Sequence, residues 1–202
     1  MTSSPPTAPP EAAEVIARAQ AAEREGHRDQ AAALYEEAMY RLRGTDQAPL
    51  ACSLLRWVAR CWLDSGDLDA AQDAATAALA VARAAEDGPS LAHSLNVLGN
   101  VLRTRGELDD AQALYLRAQD EAERAGEATL AAMLEQNLGI LSNIRGDYRG
   151  ALSRYRASLS AYRALGEHRY AAQALSNLGM LYTDQRRWRA AERSYAEALE
   201  IC

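Results

Sequence analysis

The sequence predicts an all-α solenoid of about five antiparallel helix pairs, and three observations carry this prediction. The first is a series of glycines 40 residues apart: Gly26, Gly66, Gly106 and Gly146. The second is an alanine five residues after each of these positions and after Arg186, the next position in the series: Ala31, Ala71, Ala111, Ala151 and Ala191. The third is a composition rich in Ala, Leu, Arg and Glu, which lose little entropy on entering a helix.

Two further columns share the 40-residue period. A tyrosine or alanine follows each of those alanines by four residues: Tyr35, Ala75, Tyr115, Tyr155 and Tyr195. A small residue stands seven positions before each glycine position: Ala19, Ala59, Gly99, Gly139 and Gly179. Because short side chains let two helices approach closely, we expect Gly99 and Ala111 to mark the crossing within the third pair, with the tyrosines filling wider gaps beside such crossings.

Each period is typical of a helical hairpin. In the third period, apolar residues recur at helical spacing over 91–102 and again over 111–122, and Gly106 interrupts them. A glycine suits the left-handed position after a helix, and the acidic residue that follows it suits the start of the next helix. Turn residues at 43–49, 86–90, 125–129 and 165–169 separate repeats near 10–46, 47–86, 87–126, 127–166 and 167–202. These connections are too short to be linkers, so a single solenoid is predicted over 10–202, after a disordered tail over residues 1–9 that is rich in Pro and Ser.

Composition and motifs exclude several function classes. The net charge is −6 with mixed signs and no basic stripe, so nucleic acid is not an expected partner. No apolar run reaches the roughly 18 to 20 residues that span a bilayer, and residues 1–10 lack a signal-peptide core, so we expect a cytoplasmic protein without membrane contact. Three cysteines without a CxxC motif and three histidines at different phases of the repeat predict no metal site and no cofactor, and Cys52 and Cys61 are expected in the core. No acid, base and nucleophile converge, so an enzyme is not expected.

Segments 95–119 and 176–201 resemble the tetratricopeptide repeat, because they combine a Leu-Gly pair with the later alanine column. The 40-residue period is similar to the subclass found in kinesin light chains and in bacterial regulators. The resemblance covers residues 10–202 and departs at Arg186, at Ala75 and in the first unit, which lacks the Leu-Gly pair. It implies a right-handed superhelix whose inner groove, lined by the first helix of each pair, holds a peptide.

Carried over by this resemblance, the inward positions are Arg56, Trp57, Arg60, Asn96, Asn100, Arg103, Gln136, Asn137, Asn143, Ser176, Asn177 and Asp184. Asn is a mediocre helix former, and its amide both donates and accepts, so we expect the asparagines to bind peptide backbone. The arginines would select acidic groups on the partner, and Trp57 would anchor a side chain. The alternative is that these residues form a solvated helix face or bond between helices. Trp62 and Trp188 are assigned to packing.

The sequence therefore favours a protein- or peptide-binding scaffold. The alternative is a sensing or autoinhibitory module of a longer bacterial signalling protein whose C-terminal part is absent. The last helix supports that alternative, because Tyr195, Leu199 and Ile201 lie on a face that a further helix would cover. This edge would otherwise pair with a second copy to form a homodimer.

Overall fold

A computed structural model describes residues 8–201. Within that range the chain forms ten helices and no strand, which confirms the all-α fold of five helix pairs. The helices are α1 (Pro10–Arg24), α2 (Arg28–Arg41), α3 (Ala48–Ser65), α4 (Leu68–Ala84), α5 (Gly88–Arg105), α6 (Leu108–Ala125), α7 (Ala128–Ile144), α8 (Tyr148–Leu165), α9 (His168–Asp184) and α10 (Trp188–Ile201). Most of the tail predicted over residues 1–9 lies outside the described residues, as does Cys202.

The chain divides into two compact units, residues 1–114 and 115–202, with the boundary inside α6. In unit 1, α1 packs on α2 and α3 on α4, while α2 contacts α3, α4 contacts α5, and α3 lies beside α5. In unit 2, α7 packs on α8 and α9 on α10, while α8 contacts α9 and α7 lies beside α9. Neighbouring pairs thus cover apolar faces that a single pair would expose. Cys52 and Cys61 are buried, as expected, and no described helix is long and apolar enough to cross a membrane.

The turn within each helix pair contains a residue in the left-handed region. The four predicted turn glycines have φ between 77° and 91°, and Arg186 takes their place in the last pair at φ 57°. The predicted helix starts are also present, because the carboxylates of Asp67 and Asp147 each accept a hydrogen bond, at 3.0 Å, from the backbone N–H three residues later. The hairpin turns therefore follow the sequence pattern.

A second series of left-handed residues lies in the turns between pairs, which the sequence analysis treated as ordinary loops. Gly126 and Gly166 have φ of 74° and 72°, and Glu86, one period earlier, has φ 51°. These positions fall midway between the hairpin glycines. A non-glycine residue at such an angle costs about 1 to 2 kcal/mol, so Glu86 and Arg186 are the two strained turn residues of the described chain.

In unit 2 the tyrosine column packs directly against the glycine column. A Cβ atom added to Gly139 would lie 2.8 Å from two ring carbons of Tyr155, and one added to Gly179 would lie 2.5 Å from the ring of Tyr195. The absent side chain makes room for the aromatic ring. The crossing expected between Gly99 and Ala111 in the third pair stays a prediction.

Candidate binding face

Most of the residues predicted to bind a partner lie on the first helices of the pairs. We call the surface of α1, α3 and α5 the first-helix face of unit 1, and the surface of α7 and α9 the first-helix face of unit 2. On these faces Arg60 and Asp184 are exposed, whereas Asn96, Gln136 and Asn137 are buried. The remaining predicted residues are half-buried: Arg56, Trp57, Asn100, Arg103, Asn143, Ser176 and Asn177.

Arg60 belongs to a network that links α1, α2 and α3. Its Nη2 donates to Oε1 of Glu23, and the hydroxyl of Tyr35 donates to Oε2 of the same carboxylate at 2.8 Å. Arg28 donates to the backbone oxygen of Glu23 at 3.0 Å and lies 3.7 Å from the carboxylate of Asp64. The charge of Arg60 is thus already met by Glu23. Sequence reasoning missed Glu23, although it stands at the same repeat phase as the predicted Arg103 and Asn143.

Arg56 is a cation on this face whose donors the fold satisfies only in part, and Arg103, whose buried Nε also lacks a hydrogen-bond partner among residues 8–201, is another. Its Nη2 donates to Oγ of Ser53 at 3.0 Å, while its Nη1 is buried and has no hydrogen-bond partner among residues 8–201. Burial lowers the pKa of Arg56, and the carboxylate of Asp87 acts in the opposite direction. Burial and the positive charge of Arg56 lower the pKa of His93 to about 4, so that His93 is neutral at pH 7. A half-buried cation with an unused donor is suited to a carboxylate ligand.

His93 was not predicted as part of this surface. Because the three histidines stand at different phases of the repeat, the sequence predicted no shared site for them and left them surface or packing roles. Its position in the repeat could have indicated a place near Arg56, because His93 stands one period after Ser53, and Ser53 accepts a hydrogen bond from Arg56.

Trp57 packs inside unit 1. Its ring lies on that of Tyr35, with centroids 5.2 Å apart and planes at 44°, and it borders the core cluster of that unit. Trp62 borders the same core, as predicted. The packing role predicted for Trp188 is wrong, because its side chain is 62% exposed. Trp188 opens α10 directly after a turn, where no neighbouring helix covers it.

On the first-helix face of unit 2, two predicted residues bond to each other. Asn143 Nδ2 donates to Oδ2 of Asp184 at 3.3 Å and so joins α7 to α9. Polar atoms of Gln136 (Oε1), Asn143 (Oδ1) and Asn177 (Nδ2) are buried without a hydrogen-bond partner among the described residues. A peptide backbone presents both donors and acceptors, so it can satisfy these unused atoms once the side chains rotate toward it.

The predicted self-association edge forms a surface of its own on α9 and α10. Leu199 is 78% exposed, Tyr195 is 37% exposed and Ile201 is half-buried. Tyr195 and Leu199 line an open depression of about 430 Å³ together with Ser176 and Arg169. Ser176, which was predicted to line the binding groove, therefore lies with the edge residues, and its hydroxyl donates to the backbone oxygen of Ala172 at 3.0 Å.

The comparison with known families and structures agrees with this fold. The sequence matches the family model described as tetratricopeptide repeat over residues 49–124 and 129–202. BtubC (BKLC) from P. vanneervenii is 23% identical with a TM-score of 0.71, over 93% of this chain and 78% of that chain. A Rap protein complexed with Competence and Sporulation Factor is 18% identical with a TM-score of 0.84, over 97% and 55%. A putative kinesin light chain from Podosopora anserina with nearly identical TPR-like repeats is 14% identical with a TM-score of 0.66, over 95% and 94%.

The chain spans about half the length of that Rap protein. No curated protein sequence matches it. At these identities the likeness concerns the fold.

Proposed function

Because the chain belongs to the tetratricopeptide repeat family, we propose that residues 10–202 are a protein-binding scaffold in which each first-helix face holds a segment of a partner protein. The observation that carries the proposal is Arg56, a half-buried cation on the first-helix face of unit 1 with a donor that no described residue accepts. Burying an unsatisfied donor of a charged group costs roughly 1 to 3 kcal/mol or more. A ligand carboxylate would accept from this donor and so offset the cost. A role as an ordinary solvated surface residue would leave the cost unexplained.

The proposed ligand is an extended segment that carries at least one acidic side chain. Its carboxylate would pair with Arg56, because a guanidinium fork binds carboxylates in two-point geometry. Neutral His93 supplies a further polar group beside Arg56 without adding competing charge. Arg60 would act mainly through its pairing with Glu23, which holds α3 against α1.

On unit 2 the proposed contact is to the peptide backbone. The unused atoms of Gln136 and Asn177 are one acceptor and one donor, which are the two groups that every peptide unit presents. Such contacts do not depend on the partner's side chains, so binding to this face would tolerate many sequences, whereas Arg56 makes the face of unit 1 selective for acidic groups. The Rap protein of similar fold is complexed with Competence and Sporulation Factor, which supports a role in binding a partner for this chain.

A displayed library of random peptides selected on the protein tests this function. We expect the selected peptides to be enriched in Asp and Glu, and Arg56→Gln to weaken their binding about tenfold, the effect of about 1.4 kcal/mol. Arg83→Gln is the matched control, because Arg83 is exposed on α4 and lies away from the first-helix face. Selected peptides that bind Arg56→Gln and the wild type equally would contradict the proposal.

A second candidate function is self-association through the α9–α10 edge, as a module of a longer signalling protein. The observation that favours it is Leu199, which is almost fully exposed beside a depression that Tyr195 lines. Light-scattering chromatography over a range of concentrations should show a dimer that Leu199→Arg with Ile201→Glu converts to a monomer. Leu165→Arg, at another exposed leucine, should leave the dimer intact. A monomer at every concentration would rule out this candidate.

A further inference from the structure

The turn before α10 and the first two turns of that helix carry a dense cluster of positive charge. Residues 186–193 contain four arginines and one glutamate, in a chain whose net charge is −6. The members of the cluster line an open depression of about 370 Å³. They are Arg186, Arg187, Trp188, Arg189 and Arg193, and we call them the basic turn patch.

The fold does not use these charges for ion pairing. None of the four arginines lies within ion-pair distance of an acidic group in residues 8–201, and the guanidinium of Arg187 instead lies 4.7 Å from the ring centroid of Tyr182. Some arginines elsewhere in unit 2 are paired, namely Arg124 with Glu121, Arg154 with Glu135 at 3.0 Å and Arg163 with Glu197. The patch therefore presents several guanidinium groups that remain available to a ligand.

Arg186 and Arg187 also depart from the repeat in a direction that lowers stability, and Trp188 is more exposed than the aromatic at the same position one period earlier, Tyr148. One period earlier the chain reads Gly146, Asp147 and Tyr148, where glycine takes the left-handed angle and the aspartate caps the next helix. Arg186 adopts the same left-handed region with a side chain, and Arg187 places a cation at a helix N-terminus in place of the capping carboxylate. Trp188 exposes most of its indole.

Departures of this kind point to a role outside the fold. The sequence for a relaxed turn stands one period away in the same chain, so the repeat does not require these residues. Strain and unfavourable charge that persist at one place are characteristic of sites selected for binding. The available arginines and the exposed indole lie on the same turn and beside the same depression, so both would meet one ligand.

We propose that the basic turn patch binds an acidic segment of a partner protein, with its carboxylates on the arginines and an apolar side chain against Trp188. Guanidinium groups pair with carboxylates, and a Trp at a contact gives a large apolar area. A protein segment suits the patch better than nucleic acid, because its helical part, residues 188–193, extends only about 9 Å and the rest of the chain is acidic. This surface differs from the first-helix faces, so the inference goes beyond the proposed function and does not depend on it.

Fluorescence anisotropy with a labelled synthetic peptide of alternating Glu and Leu tests the proposal, beside the same peptide with Gln for Glu. The informative variant is Arg186→Gly, Arg187→Asp and Trp188→Tyr, which gives this turn the residues of positions 146–148. Because it restores the repeat's own turn, unfolding cannot explain a loss of binding. We expect the Glu peptide to bind the variant about tenfold or more weakly than the wild type, and its binding to weaken as salt rises to about 300 mM.

The control variant Arg117→Glu with Arg83→Gln makes the same change in net charge at two exposed arginines on second helices, outside both the patch and the first-helix faces. It should bind the Glu peptide like the wild type. Equal binding of the peptide to the wild type and to the turn variant would overturn the proposal. It would also be overturned if single-stranded DNA bound more tightly than the Glu peptide, or if the patch instead joined two copies of the chain, seen as a dimer that the turn variant abolishes.

Discussion

Replacing Gly139 with alanine sets two effects of opposite sign against each other. Alanine is the better helix former, which favours the variant by about 0.8 to 1 kcal/mol. The new Cβ would lie 2.8 Å from two ring carbons of Tyr155, however, and that ring is only 2% exposed. A side chain enclosed on all sides cannot move away, and overpacking of this kind costs about 1 to 3 kcal/mol. We therefore expect Gly139→Ala to lower the free energy of unfolding by about 1 kcal/mol.

Gly179 provides the comparison, because the same substitution there meets a ring that can move. The distance to the ring of Tyr195 is shorter, 2.5 Å, but Tyr195 is 37% exposed and can turn toward solvent. The helix preference of alanine should then dominate, and Gly179→Ala should raise stability by up to about 1 kcal/mol. The shorter contact, at Gly179, should therefore be the less destabilising one. The exposure of the opposing tyrosine ring, and not the distance to it, decides whether the alanine variant gains or loses stability.

Urea unfolding followed by far-ultraviolet circular dichroism measures both effects. A second background sharpens the test, because Tyr155→Ala removes the ring that opposes the new Cβ. In that background Gly139→Ala should stabilise the protein by about 0.5 to 1 kcal/mol, so its sign reverses. The second repeat already holds alanine in both columns, at Ala59 and Ala75, and buries both fully. A Gly139→Ala variant more stable than the wild type, or a larger loss at Gly179, would refute the reasoning.

Three other predictions use stability as the measurement. Glu86→Gly should raise the free energy of unfolding by about 1 kcal/mol in urea, because glycine relieves the left-handed backbone, and an unchanged midpoint would contradict this. Tyr162→Phe should stabilise the protein by about 1 kcal/mol, because the Tyr162 hydroxyl is buried without a hydrogen-bond partner among the described residues. Tyr35→Phe should instead destabilise the protein, because it removes the hydrogen bond to Glu23. The folded-state pKa of His93 is about 4, below the ordinary 6.5, so the stability that neutral His93 contributes is complete above pH 6.5 and is lost as the pH falls toward 4. His93→Gln should therefore flatten the fall of the free energy of unfolding between pH 6.5 and pH 4. A variant whose stability falls in parallel with that of the wild type would contradict this.

The parts of the fold that the sequence predicts well are those set by neighbouring residues. Gly66 ends a helix and Asp67 begins the next one within a single turn, so both functions can be read from two adjacent letters. The left-handed angle at Glu86 could not be read this way, because its side chain is not the one that the angle favours. The left-handed angle at Glu86 can be inferred only from its position 20 residues after the hairpin glycine Gly66. The first repeat does not follow this spacing, because its left-handed glycine, Gly44, comes 18 residues after Gly26.

The candidate site was harder to predict, because repeat phase gives the face of a helix and not what already occupies it. Arg60 and Trp57 lie at phases where a ligand was expected, yet Glu23 and Tyr35 contact them from the preceding repeat. Tyr35 belongs to the tyrosine column and Glu23 shares the phase of Arg103, but a column does not show which side chain of the next repeat its members contact. Arg56 differs, since part of its donor capacity remains unused in the folded chain.

This difference separates two kinds of departure from a repeat. Ala75 replaces the tyrosine of its column, but Ala59 replaces the glycine opposite, and the pair is fully buried, so packing within the chain explains both. No such compensation accompanies Arg186 and Trp188, because the backbone strain and the exposed indole persist in the folded structure. The same holds for the unsatisfied donor of Arg56. In a repeat protein the uncompensated departures are therefore the informative ones, since a partner outside the chain is the remaining source of the missing contact.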